Sequence, residues 1–226
     1  MTDNPQDRLL DAALTHVPFD GWSEETFRAA ARDADIDPTV ARGLYPRGAL
    51  DLAIAFHRRG DDAMAARIAE TDLGDMRFRD RVAFAVRARI EAAQDREVVR
   101  RGTTLFALPM HAADGAKLIW GTADRIWTAL GDTSQDLNWY SKRATLSGVY
   151  SSTVLYWLGD DSIDSDATWA FLDRRIDDVM RIEGFKAQMR KNPLTRGLMA
   201  GPEWLASRIR APRRDADMPG GMPPRG

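Results

Sequence analysis

An all-α fold is what these 226 residues predict, and three features of the chain predict it. Apolar residues recur every three to four positions along most of its length. The runs stop at glycines, prolines or short acidic turns, and several begin on a Ser or Asp suited to capping a helix. No stretch alternates apolar and polar residues as a half-buried strand does. About nine to ten helices are expected. They divide into a helix-turn-helix-like head over residues 1–48 and a C-terminal helical bundle over 49–185. A basic segment follows over 186–210, and a tail over 211–226 is expected to be disordered.

The elements follow in order. Leu9, Leu10, Ala13, Leu14 and Val17 give a first helix that Phe19-Asp20-Gly21 breaks. Ser23 caps a second, running to Ala34, and Asp37-Pro38 starts a brief third that ends by Gly43. A longer fourth begins near Gly48 and carries Leu50, Ile54, Met64 and Ile68. Phe78, Val82, Val86 and Ile90 mark the fifth, and the sixth covers roughly Glu97 to Leu108 before Pro109. The seventh, about Ala112 to Leu130, presents Ile119, Ala123, Ile126 and Leu130 with Trp120 and Trp127. The eighth runs from about Asp136 to Leu158, with Trp139, Arg143, Leu146, Tyr150, Val154 and Trp157 in one stripe. Asp164 or Ser165 caps the ninth, which places Trp169, Leu172, Ile176 and Met180 inward.

Composition closes several routes to function. The chain has no cysteine, which excludes disulfides, thiolate metal sites and a Cys nucleophile. Its three histidines, His16, His57 and His111, are not paired at ligand spacing. His57 and His111 are expected to be structural or superficial, since no partner stands near them in sequence. Asp160-Asp161 and Asp177-Asp178 read as solvated acids. Glycine-rich phosphate loops, nucleophile elbows and zinc-protease motifs are missing. No catalytic residue, metal ligand or cofactor is therefore expected. No run of about 18 apolar residues occurs, and the acidic, amphipathic start is unlike a targeting peptide. A cytoplasmic protein is the expectation.

Charge is uneven along the chain. Residues 1–75 carry 8 Arg against 15 acids, whereas residues 186–226 carry 9 bases against 3 acids. The head resembles that of TetR-type regulators, whose third helix enters the DNA major groove. Its own acidic field opposes the phosphate backbone, with Asp33, Asp35 and Asp37 flanking the third helix. DNA is thus not the expected ligand, and a TetR-type regulator sensing a hydrophobic ligand is the alternative reading.

The stretch from Asp136 to Arg143 carries the strongest local signal. Trp139, Tyr140 and Arg143 emerge on neighbouring helix faces, and large amphipathic aromatics beside an Arg form the composition of a docking hot spot. The same residues also fit the core of an ordinary helix start.

These segments together resemble the COQ-nine family of ubiquinone-biosynthesis accessory proteins, which have a TetR-like fold. The resemblance lies in Ala12-Ala13-Leu14 through Trp22, the Leu108-Pro109 turn and Gly131-Asp132 through Arg143. It continues in Tyr150 to Asp161 and Thr168 to Arg175. It spans about residues 8–182 and is weaker over 60–105.

The resemblance implies a non-enzymatic protein that binds an isoprenoid quinone intermediate or a phospholipid. It also implies docking to the di-iron demethoxyubiquinone hydroxylase through Asp124, Ile126, Leu137, Trp139, Tyr140 and Arg143. For the lipid it implies an apolar cavity, with Phe106, Leu108, Trp120, Trp127, Leu146, Tyr150, Trp157, Trp169 and Phe171 as candidate lining. Periodicity alone reads these residues as a solid core.

The family's membrane-reaching helix would correspond to Arg190, Lys191, Leu194, Arg196, Leu198, Trp204 and Leu205, although Gly201-Pro202 interrupts it. A solvated basic tail is the other reading of that segment. The expected setting is peripheral association with the bacterial inner membrane, as a homodimer.

Overall fold

The computed structural model describes residues 4–191, with side chains as far as 181. Among these residues there are helices and no strand. The helices are α1 (Pro5–Asp20), α2 (Glu24–Asp33), α3 (Pro38–Leu44), α4 (Ala49–Glu70), α5 (Phe78–Glu91), α6 (Arg96–Ala107), α7 (Ala112–Ala129), α8 (Leu137–Leu158) and α9 (Asp166–Lys191). The all-α expectation therefore holds, nearly helix for helix.

Local chemistry sets most boundaries. The Ser23 hydroxyl accepts from the Thr26 N–H at 3.1 Å, and Asp37 accepts from Thr39 and Val40 at the start of α3. Asp95 caps α6 and Asp136 caps α8 in the same manner. Each such cap satisfies amide donors that the first helical turn leaves unpaired. At the end of α7 the chain turns through Gly131 at φ 80°, a conformation that disfavours any residue with a Cβ.

The start of α9 differs from expectation. Neither Asp164 nor Ser165 caps it; both lie in a single 3-10 turn, with φ of 51° and 59°. Asp160 does the work instead, with the Ser162 hydroxyl accepting from the Ala167 N–H at 3.0 Å. Its carboxylate accepts from the Ser162 N–H at 2.8 Å, the Thr168 N–H at 2.9 Å and the Thr168 hydroxyl at 2.5 Å. Those hydrogen bonds hold its carboxyl well below the usual range. Read from sequence as a solvated loop acid, Asp160 is buried because it organises the α8–α9 corner. The helix α9 also runs on to Lys191, across the division expected at residue 185.

Two apolar cores meet along one helix. Leu9, Val17, Phe27, Ala41 and Leu52 belong to the head core, and Met64, Val86, Ile126, Leu146 and Leu172 to the bundle core. The α4 helix contributes to both, and Phe56 packs against each. At 22 residues α4 is about 33 Å long, enough to run from head to bundle without a break.

Candidate functional site

Between α4, α6, α7 and α8 lies a cavity of about 510 Å³, closed on one side by Trp22 from the α1–α2 corner. Its walls are chiefly apolar: Phe56, Val98, Val99, Phe106, Ile119 and Val154. The lining is graded by depth. Ala53, Arg89, Val98 and Tyr150 are buried, whereas Ala107, Ala112, Ala116 and Leu155 are exposed and form the mouth. Beside that mouth the α6–α7 turn presents Leu108 and Met110, 45% and 78% exposed. A cavity of this size and lining falls within the range that holds small ligands.

One end of the cavity is polar. The Arg89 guanidinium donates from Nε to Asp61 Oδ1 at 2.6 Å and from Nη2 to the His57 carbonyl at 2.9 Å. The Thr122 hydroxyl donates to the same Asp61 oxygen at 2.8 Å, and His57 Nε2 lies 2.8 Å from Thr122 Oγ1. Burial, reinforced by the positive charge of Arg89, pushes the His57 imidazole down to about 3, so it is neutral at physiological pH. Burial likewise pushes the Asp61 carboxyl up, against the pull of Arg89. Gly60 makes the pairing possible, because a Cβ there would stand 2.6 Å from Arg89 Nη1.

A second feature faces outward at the α7–α8 corner. Trp139 and Tyr140 meet edge to face at 4.7 Å, and Trp120 joins them at 6.0 Å and 6.4 Å. All three are partly exposed, and Leu137 is 42% exposed beside them. Beneath the rings, Arg143 lies 4.0 Å from the centre of Trp139 and donates to Asp124 at 2.6 Å and to Asp132 at 3.1 Å. Lys142 donates to the other Asp132 oxygen at 2.8 Å. Burial works against ionisation of Asp132, yet hydrogen bonds from Lys142, Ser134 and Arg143 hold its carboxyl at about 2.

The sequence-based assignments sort unevenly onto these two features. Of the expected lipid-lining residues, Phe106 and Tyr150 line the apolar cavity. Trp127 and Leu146 instead line a separate groove of about 200 Å³ bounded by Phe78, Val82, Ile176 and Met180. Trp120 belongs to the outer aromatic cluster, and Leu108 is at the rim of the mouth. Trp157 and Trp169 sit under Arg96 and Arg87, and Phe171 stacks on Tyr156 at 4.5 Å. The physical reason is helix rotation: a stripe every 3.6 residues covers more than one face of a long helix, and only part of it meets the cavity.

Within the expected docking set, Leu137, Trp139, Tyr140 and the half-exposed Asp124 are accessible. Ile126 and Arg143 are fully buried, which corrects the expectation that they present themselves to a partner. Of the membrane set, Arg190 and Lys191 fall on the α9 backbone, with their side chains outside the described residues. Leu194, Arg196, Leu198, Trp204 and Leu205 also lie outside them.

Sequence reasoning missed Trp22, Phe56, Val98 and Val154 as lining. It also missed the partners of His57, although Asp61 stands one helical turn away at i+4, a spacing that brings side chains together. Among the described residues, no helix is long and apolar enough to cross a membrane, and no group of three or more His, Asp or Glu could hold a metal ion.

Comparison with known proteins places this architecture. A TetR transcriptional regulator from Nitrosomonas europaea shares the fold, with a TM-score of 0.63 at 20% identity, over 76% of this chain and 95% of that one. The COQ9 family model matches residues 112–183, which take in α7, α8 and most of α9. The mitochondrial ubiquinone biosynthesis protein COQ9 of Xenopus tropicalis is 32% identical over 77% of this chain and 57% of its own length. Its counterparts in Drosophila melanogaster and Rattus norvegicus are each 30% identical, over 80% and 86% of this chain and 57% and 65% of theirs. The chain thus spans less than two thirds of these relatives, but the alignments extend well beyond the segment that the family model covers. On that evidence, and with the fold it shares with TetR regulators, this chain belongs to the COQ9 family.

Proposed function

We propose that this chain is a non-enzymatic lipid-binding accessory protein of ubiquinone biosynthesis. It holds an isoprenoid quinone intermediate or a phospholipid in the cavity and offers it to the di-iron demethoxyubiquinone hydroxylase. The observation that carries this reading is the apolar cavity of about 510 Å³ in a chain whose relatives are named for ubiquinone biosynthesis. Each CH₂ moved from bilayer to water costs about 0.8 kcal/mol, so a polyprenyl tail needs an apolar enclosure to leave the bilayer. The apolar rim at Leu108 and Met110 suits approach to a lipid surface.

The outer cluster of Trp120, Trp139 and Tyr140 supplies the docking surface in this proposal. Peripheral attachment to a membrane and pairing of two copies belong to the same proposal. Tyr156 and Ile163, exposed on α8 and the following turn, support the pairing. A DNA-binding reading draws only on shared fold, and an acidic head opposes it.

Native mass spectrometry of gently isolated protein tests the central claim. Co-purified isoprenoid or phospholipid is the expected result. Bare protein, together with no uptake from lipid vesicles, would remove the lipid-binding reading.

A further inference from the structure

We propose that the buried end of the cavity is a head-group site for an uncharged ring oxygen, a phenol hydroxyl or quinone carbonyl, bound by the Tyr150 hydroxyl beside His57. The ligand's apolar tail leaves through the mouth. This rests on the lipid-binding reading and adds an orientation and a ligand class to it.

The first support is a hydroxyl group. Tyr150 is only 5% exposed and lines the cavity, and its hydroxyl makes no side-chain hydrogen bond among the described residues. A hydroxyl that faces an apolar cavity can donate one hydrogen bond to an entering group and accept others. A ligand oxygen reaching the deep end would supply a partner.

The second support is electrical neutrality. The Arg89 charge is already met by Asp61, and the Thr122 hydroxyl is directed at the same carboxylate. With Gly60 giving it room, the guanidinium is pinned against α4 through the His57 carbonyl rather than free to turn inward. His57 is neutral. An entering phosphate or carboxylate would lose its hydration and meet no unpaired cation, a heavy penalty in an apolar enclosure. A neutral oxygen carries no such penalty.

The third support is layout. The ionisable lining groups His57, Arg89 and Tyr150 lie away from the mouth, which is formed by Ala107, Ala112, Ala116 and Leu155. A head-inward ligand matches that gradient from end to end. At about 30 Å³ per water-sized group, 510 Å³ holds roughly seventeen of them, a ring and a tail of about ten carbons. Any longer tail passes out between α6, α7 and α8, beside Leu108 and Met110.

The test uses three probes with one tail, namely 4-decylphenol, decylbenzene and decyl phosphate. Each is titrated calorimetrically into the full chain and into Tyr150→Phe. The parent should bind decylphenol about 5- to 10-fold more tightly than decylbenzene, the gain expected of one hydrogen bond, and decyl phosphate most weakly. Tyr150→Phe should erase the phenol preference and leave decylbenzene binding unchanged. Its melting temperature should not fall, since the lost hydroxyl made no side-chain hydrogen bond, so a binding change there reports the ligand. Equal affinity for decylphenol and decylbenzene, a preference that survives Tyr150→Phe, or tighter binding of decyl phosphate would each overturn the head-group site. Binding of none of the three would instead overturn the lipid-binding reading on which it rests.

Discussion

Arg143 and Asp132 pair across the α7–α8 corner, Nη1 to Oδ2 at 3.1 Å, with the arginine side chain wholly buried and the aspartate 4% exposed. The aromatic patch therefore stands on a hidden ion pair. Removing Arg143 would leave Asp132 to Lys142 alone and empty the buried space beneath Trp139, a loss of about 3 kcal/mol. Arg143→Ala should unfold at a temperature lower by roughly 10 °C, read by calorimetry. A variant that melts with the parent would show that the pair does not support this corner.

Trp139 and Tyr140 should behave in the opposite way. Both are partly exposed, and neither side chain bridges the two cores. Trp139→Lys and Tyr140→Asp should keep the parent melting temperature within about 2 °C and lose capture of the di-iron hydroxylase at least tenfold, as hot-spot residues do. Capture at the parent level by both variants would move the docking surface elsewhere.

Gly102 lines the cavity in mid-helix, and a Cβ placed on it meets Trp22 Nε1 at 3.6 Å, ordinary contact. Leucine at this position fills the cavity from α6 and gains about 0.8 kcal/mol of helix propensity over glycine. Gly102→Leu should melt no lower than the ligand-free parent and carry no lipid in native mass spectra. Full lipid occupancy in that variant would show that the ligand lies outside this cavity.

Acid should weaken the fold in two stages. His57 takes up a proton near 6.5 in an unfolded chain but only near 3 when buried beside Arg89. Below pH 6.5 the unfolded state thus binds a proton that the native state refuses, and stability falls at up to about 1.4 kcal/mol per pH unit. Asp61, whose carboxyl burial pushes up, binds its proton earlier in the native state and offsets part of this loss. Asp132, held at about 2, contributes stability above pH 4 that disappears as pH falls through 2. Urea melts at pH 7, 6 and 5 should show a flatter dependence for His57→Gln than for the parent. Parallel curves would contradict a buried neutral imidazole.

Helix number, order and most boundaries were legible because caps are local chemistry. Ser23, Asp37 and Gly131 act on amides within a turn of themselves, so their meaning survives without tertiary knowledge. The start of α9 escaped because Asp160 reaches eight residues forward to Thr168. The lining escaped for a different reason. Periodicity shows which residues are apolar, not which of them leave space between them, so Trp127 and Leu146 looked as suitable as Tyr150. Arg89 and Arg143 carried no sign of burial, because arginine usually lies at the surface and its partners here come from other helices. The His57–Asp61 pair was the one overlooked signal within reach.

Phe56, on the long helix shared by both cores, ties the fate of the N-terminal head to that of the bundle. With Trp22 also lining the chamber, the head helps to enclose the cavity. Severing the chain after residue 48 would not release a working bundle. It would unroof the chamber and strip the upper half of α4 of its packing, so the whole should melt as one cooperative unit, which a ligand bound as proposed would reinforce throughout.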